Sequence, residues 1–340
     1  MTHKTLASLL LCLAATAQAA PLYTLTKTVP IGAPDRWDLL TYDGSLHRVY
    51  IAHGDRVTVV DVASGKVVGN IEGYAGGTHG VAIVPALHRG YTDDGTAATA
   101  NSFDVNSLKA LRSIPAADDA DAIAFDKVTG RLFVIDSDPG KITVIDPPTD
   151  RVIATLDGGG KLEIGVADGL GKVFVNGEAK REILRIDART DTIDARWPIP
   201  DCESPHGIAV DPRGHHVFSS CANKLMMVLS TQDGSILASL PIGARTDGAA
   251  FDPSSHRAFS SNGDGTLTVI GESGTGKFTV LDTVPTAIGA RTMTLDPKSG
   301  ELFLIAGDVT ENKDADPKDF RHRYTVTPGT AKLLIFDRAN

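Results

Sequence analysis

The stretch CESPHGIAVD, residues 202–211, decides the fold, because its second half keeps returning along the chain. HGIAVD at 206–211 recurs as DAIAFD at 121–126, DGAAFD at 247–252 and RTMTLD at 291–296. Looser copies are DLLTYD at 38–43, HGVAIV at 79–84 and EIGVAD at 163–168. The copies end at 43, 84, 126, 168, 211, 252 and 296, so their spacings are 41, 42, 42, 43, 41 and 44. A fixed period of roughly 40–45 residues carrying strand-like segments is the signature of propeller blades.

Each unit repeats one internal plan. The first strand runs into a polar turn such as DPRGHH or DKVTGR. A second strand follows, as in RLFVID at 131–136, then a third, as in KITVID at 141–146, and a fourth, as in RVIATL at 151–156. Val, Ile, Leu and Phe fill the strands, and Gly, Asp, Asn and Pro fill the turns. Four antiparallel strands make one blade. The last unit stops at KLLIFDRAN with no fourth strand of its own. YTLTKTVPIG at 23–32 matches fourth-strand segments such as ILASLPIG at 236–243 and is expected to close the ring. The fold class is therefore all-β: a single seven-bladed β-propeller of four-stranded antiparallel blades, spanning 20–340, with its sheet edges hidden by closure.

The units resemble the YVTN-type β-propeller repeats of the YncE-like family of bacterial periplasmic proteins. The stretches that carry the resemblance are RLFVIDSDPGKITVIDPPTDRVIATL, SPHGIAVDPRGHHVF, AFSSNGDGTLTVI and GARTMTLDPKSGELFLIAG. The resemblance implies the fold and says little of function, because one scaffold hosts binders, enzymes and assembly platforms.

The N-terminus points to the same compartment. Lys4, the apolar run LASLLLCLAA and an AQA site at 17–19 describe a secretory signal peptide over residues 1–19. The expected product is soluble, periplasmic or secreted, and without a membrane span. Losing Lys4 moves the formal charge from −9 to −10, which excludes a nucleic-acid footprint. Cys202 and Cys221 remain in the exported chain, and in an oxidising compartment an even count reads first as a disulfide. A thiolate copper site beside His206 is the other use open to them.

Propeller first strands start beside the central channel. The residues opening them, Asp38, His79, Asp121, Glu163, His206, Asp247 and Arg291, are therefore expected to ring one channel mouth. Loops on the same face add His53, Asp55, Asp94, Asp138, Glu178 and Asp264, while His215 and His216 fall in a turn on the opposite face as a surface pair. Such a ring suits ordered water. It also suits a divalent metal ion, for which His79, His206, Glu163 and Asp121 are the candidate ligands. H-E-x-x-H, G-x-S-x-G and C-x-x-C-H are all missing from the sequence, and GESGTG at 271–276 reads as a hairpin turn.

One unit breaks the period. Third strands end at 61, 104, 146, 187, 230 and 271, but the last ends at 337, which is 66 residues on. The excess is DVTENKDADPKDFRHRYTVTPGT, 308–330, a charged insert on the funnel face. The resulting expectation is a monomeric, non-enzymatic scaffold that binds a small ligand or an envelope protein through its acidic, His-containing funnel. A lactonase-type metal-dependent hydrolase stays open, as does a redox propeller holding a quinone or noncovalent haem.

Overall fold

A computed structural model of the chain describes residues 20–274, 276–316 and 319–339. The expected leader, 1–19, lies outside the described residues. Seven four-stranded antiparallel sheets follow one another around an axis. Six are built from consecutive strands, such as Ala120–Asp126, Arg131–Asp136, Lys141–Asp146 and Arg151–Asp157. The seventh takes its outer strand from the other end of the chain: Tyr23–Pro30 pairs with Lys332–Arg338, beside Leu302–Ala306 and Met293–Leu295. The N-terminal strand thus closes the ring.

The repeat has a local cause. The Asp that ends most copies caps the turn that follows. Asp43 accepts the Ser45 N–H at 2.8 Å, Asp126 the Thr129 N–H at 2.9 Å, Asp211 the Arg213 N–H at 3.0 Å and Asp252 the Ser254 N–H at 2.9 Å. Short acidic side chains satisfy turn amides in this way. The closing residue of the turn is left-handed, as at His215 with φ of 60° and Gly130 with φ of 72°, which accounts for His215 without any chemistry.

Burial falls from the axis outward. Second strands such as Arg131–Asp136 are buried almost throughout, whereas the outer strand Arg151–Asp157 is mostly exposed. The apolar core lies between blades. Phe133 and Val144 of the third blade pack against Val173 and Leu184 of the fourth. Arginines opening second strands tie neighbouring blades together: Arg48 donates to the Val105 carbonyl and Arg131 to the Ala188 carbonyl, each at 2.8 Å. Cys202 and Cys221 form a disulfide inside the core cluster that holds Trp197 and Ile199.

The 308–330 insert is more ordered than its composition suggests. Val309–Glu311 and Tyr324–Val326 pair as a small antiparallel hairpin, with a helical turn at Phe320–Arg323. Arg323 holds Glu311 across it at 2.6 Å.

Candidate functional site

The residues expected to ring the mouth stand where the chain enters the innermost strands, and neighbouring blades hold their backbones. Leu39 N–H donates to the His79 carbonyl at 2.9 Å, and Thr292 Oγ1 to the Asp38 carbonyl at 2.9 Å. Asn176 Nδ2 donates to the His206 carbonyl at 2.8 Å, and Ser261 Oγ to the Arg291 carbonyl at 2.5 Å. Each of these bonds crosses from one blade to the next. The mouth is therefore fixed by blade packing, and rigid support is what holds functional side chains in place.

The side chains fall into two groups. In the first, Asp38, His79 and Asp121 each offer a ligand atom, and these atoms lie within 4.8 Å of one another. His79 Nδ1 is 3.5 Å from Asp121 Oδ1, and its Nε2 is 3.4 Å from Arg36 Nη2. In the second, His206 Nδ1 sits 3.4 Å from Glu163 Oε2 and 3.7 Å from Asp247 Oδ1. Arg291 Nε closes this group on Asp247 Oδ2 at 3.1 Å. His79, Asp121, Glu163 and His206 thus divide between two clusters, each a histidine with its own carboxylate partners.

Several contributors were not among the sequence candidates for the ring. Lys161 reaches Glu163 at 3.4 Å and Glu178 at 2.7 Å. Ser204 donates to Glu178 and lies 3.3 Å from His206 Nε2. Asp93, fully buried, accepts the backbone N–H groups of His79 at 2.6 Å and Gly80 at 2.9 Å. Lys161 precedes Glu163 by two residues in the segment leading into the strand Gly165–Ala167, and Asp93 lies in the second strand Arg89–Asp94, whereas the ring was read from the residues that open first strands.

The charges feel one another. Burial pushes the Asp38 carboxyl well up, Asp247 pushes the same way, and Arg291 partly offsets both. Burial also raises Asp121 and Glu163, against the pull of His79 and His206 respectively. For His206, burial favours the neutral ring, but Glu163, Asp247 and Glu178 outweigh it and raise the imidazole above its ordinary value. Glu178 goes the other way: burial opposes ionisation, yet Lys161 and Ser204 bring it down to about 2. Opposite charges nearby favour the charged form, and like charges and burial disfavour it. The mouth therefore carries more carboxylate density than its own cations neutralise.

Other candidates have structural work. His53 is buried, with Nδ1 2.8 Å from Thr58 Oγ1 and Nε2 2.5 Å from the Pro34 carbonyl. Asp94 accepts the Ala75 N–H at 2.5 Å, Asp264 the Ala244 N–H at 2.6 Å, and Asp55 pairs with Arg56 at 2.7 Å. Asp138 donates its backbone N–H to Asp119 at 3.1 Å. His216 is not a surface residue: it is buried edge-on against Phe278, ring centroids 4.9 Å apart. The disulfide uses both sulfurs, which removes the thiolate copper site.

Below the ring runs a channel of about 370 Å³, walled by side chains such as Leu39, Ile123, Ile164 and Met293 and by the glycine backbone at 80, 165 and 248. No helix among the described residues is long and apolar enough to cross a membrane.

Fold and axis together define a seven-bladed β-propeller, and solved structures agree. A chain in the crystal structure of the mitotic checkpoint complex matches over 98% of this chain and 99% of its own, with a TM-score of 0.74 at 16% identity. A chain of Kuenenia stuttgartiensis hydrazine synthase matches over 86% of this chain and 96% of its own, with a TM-score of 0.68 at 16% identity. At such identity the likeness carries the fold alone. No family model matches the chain. No curated protein matches it in sequence.

Proposed function

We propose that this chain is an exported, monomeric propeller of the YncE-like kind, freed of residues 1–19, that works as a binding protein. Its mouth takes up a divalent cation, alone or as part of a small cationic ligand. The observation that carries this reading is the approach of Asp38, His79 and Asp121, whose ligand atoms lie within 4.8 Å of one another. Two ligands on one ion with bonds of about 2.0–2.6 Å stand no more than about 5 Å apart, so three such atoms need little movement to share it. Two carboxylates and an imidazole suit manganese or zinc better than a thiol-loving metal. Arg36, now against His79 Nε2, lies on the exposed side and would turn outward on loading.

Binding is favoured over turnover because the mouth's histidines are already paired with carboxylates: His206 Nδ1 lies 3.4 Å from Glu163, whose carboxylate also meets Lys161 at 3.4 Å. Calorimetric titration of the 20–340 chain with manganese, zinc and calcium tests the proposal. Saturable uptake that Asp121→Asn weakens by about tenfold or more supports it. Absence of saturable uptake, or equal uptake by Asp121→Asn and His79→Ala, overturns it and leaves a water-filled mouth.

A further inference from the structure

We propose that the blade-seven insert builds a second site, apart from the ring, for a small flat organic anion, an aromatic carboxylate in chemical class. Phe320 and Tyr324, four residues apart across the helical turn, fall on one side of it, with ring centroids 4.6 Å apart. Asp319 caps the turn by accepting the His322 N–H at 3.3 Å, and the Arg323–Glu311 pair locks it to the hairpin. The insert is thereby carried across to the sixth blade, where the Arg245 guanidinium carbon lies 3.8 Å from the centre of the Phe320 ring. A guanidinium over an aromatic face is an attractive contact that orders both partners.

Between insert and blades lies a cavity of about 520 Å³, within the span of small-molecule sites. Phe320, Tyr324, Ile288 and Ala244 give it apolar surface, and Lys224, Arg245 and Arg323 give it positive charge. Asp264 is the acidic side chain in its wall, and both its oxygens are in use: one accepts the Ala244 N–H and the other the Thr266 hydroxyl, each at 2.6 Å. The Lys224 ammonium makes no ion pair among the described residues. Arg323 is offset by Glu311, so the exposed Lys224 is the cation this wall offers an incoming anion, and a small positive concavity concentrates anions. A ring stacked beside Phe320 and Tyr324 with a carboxylate turned to Lys224 meets both halves of the wall. An aromatic amine would meet the same apolar surface and the wrong charge.

The site lies outside the ring and does not depend on cation uptake there. The test is calorimetry of the 20–340 chain with benzoate and 2-naphthoate, set against benzylamine and benzyl alcohol. Saturable uptake of a carboxylate, absent for the amine, is expected. Lys224→Ala should weaken it by about tenfold or more, the loss of one charge-assisted hydrogen bond. Lys224 is exposed, so its variant keeps the fold. Phe320→Ala should weaken it further for naphthoate than for benzoate. No saturable uptake of either carboxylate, or equal uptake by native protein and Lys224→Ala, overturns the proposal.

Discussion

His206 Nδ1 lies 3.4 Å from Glu163 Oε2, and the two residues open the innermost strands of adjacent blades. A repeat position that would be a surface residue in an isolated unit becomes a contact once the ring closes. Burial there works against both charges, but the pair favours them, and Asp247 and Glu178 add to the pull on the imidazole. His206 is raised, so its contribution is complete below the ordinary imidazole value of about 6.5 and is lost as pH rises through its folded value. Glu163→Gln should flatten the decline in stability above neutral pH, read as the change in urea midpoint between pH 6 and pH 9. An unchanged decline would show that the pair has no part in it.

Asp136 gives a second pH effect with the same sign. Burial pushes its carboxyl up to about 7, against a hydrogen bond from Thr143 that favours ionisation. The folded chain therefore holds this proton where the unfolded chain has released it. Stability from Asp136 is full below about pH 4 and drains away up to about pH 7. Asp136→Asn, which keeps an acceptor for Thr143, should stabilise the protein at pH 8 by on the order of 2 kcal/mol and leave it unchanged at pH 4. Equal effects at the two pH values would defeat the argument.

The seam between chain ends is a third point of test. Tyr23 packs edge-on against Phe259 of the sixth blade at 5.3 Å, and Leu22 N–H donates to Asp282 at 2.7 Å. Removing residues 20–33 would strip the strand Lys332–Arg338 of its outer partner along its whole length, leaving it paired only with Leu302–Ala306, and open an edge. The expected outcome is aggregation, or a fall in melting temperature of ten degrees or more on the order-of-magnitude scale for several lost kcal/mol. A truncated chain that melts with the full one would mean that the closing strand adds nothing.

The disulfide closes a loop of 19 residues between Cys202 and Cys221. Chain entropy alone assigns it about 3 kcal/mol. Paired Cys202→Ala and Cys221→Ala substitutions should lower stability by about that amount, with a further cost for the packing beside Trp197. Thiol titration of the unfolded, unreduced 20–340 chain should find no free thiol.

The legible parts of this molecule were those that repeat. The Asp-capped turns recur because every blade needs the same bend, and they set the period that located Asp38, His79, Asp121, Glu163, His206, Asp247 and Arg291. What the period could not carry was anything made once. His53 looked like a funnel residue, but it is buried, and Thr58 and the Pro34 carbonyl take up its two ring nitrogens. His216 looked like a surface residue until Phe278, six strands on in the outer strand of the next blade, covered it. The insert showed no alternation because its hairpin strands are short, and the meeting of Phe320 with Arg245 depends on where the ring brings the seventh blade beside the sixth.

Cation uptake at the mouth should release protons, and this follows from the ring as it stands. Asp38, Asp121 and Glu163 are all raised, by burial first, and neighbouring carboxylates add to it: Asp247 for Asp38, Asp119 for Asp121 and Asp121 for Glu163. That carboxylate set therefore keeps its protons to higher pH than free carboxyl groups do. A divalent ion beside Asp38 and Asp121 adds to the opposite charge that Arg291 and His79 supply and favours the ionised forms, so each ion bound drives protons off. Uptake should weaken as pH falls from about 7 to about 5, since the ion must then compete with more protons. The direct measurement is calorimetry at pH 6 in two buffers with different ionisation enthalpies. Apparent enthalpies that differ in proportion to the buffers' own give the number of protons released. Asp38→Asn should reduce that number while leaving Asp121 and His79 in place as ligands. Enthalpies that do not depend on the buffer, with binding intact, would mean that the ion sits away from the raised carboxyls.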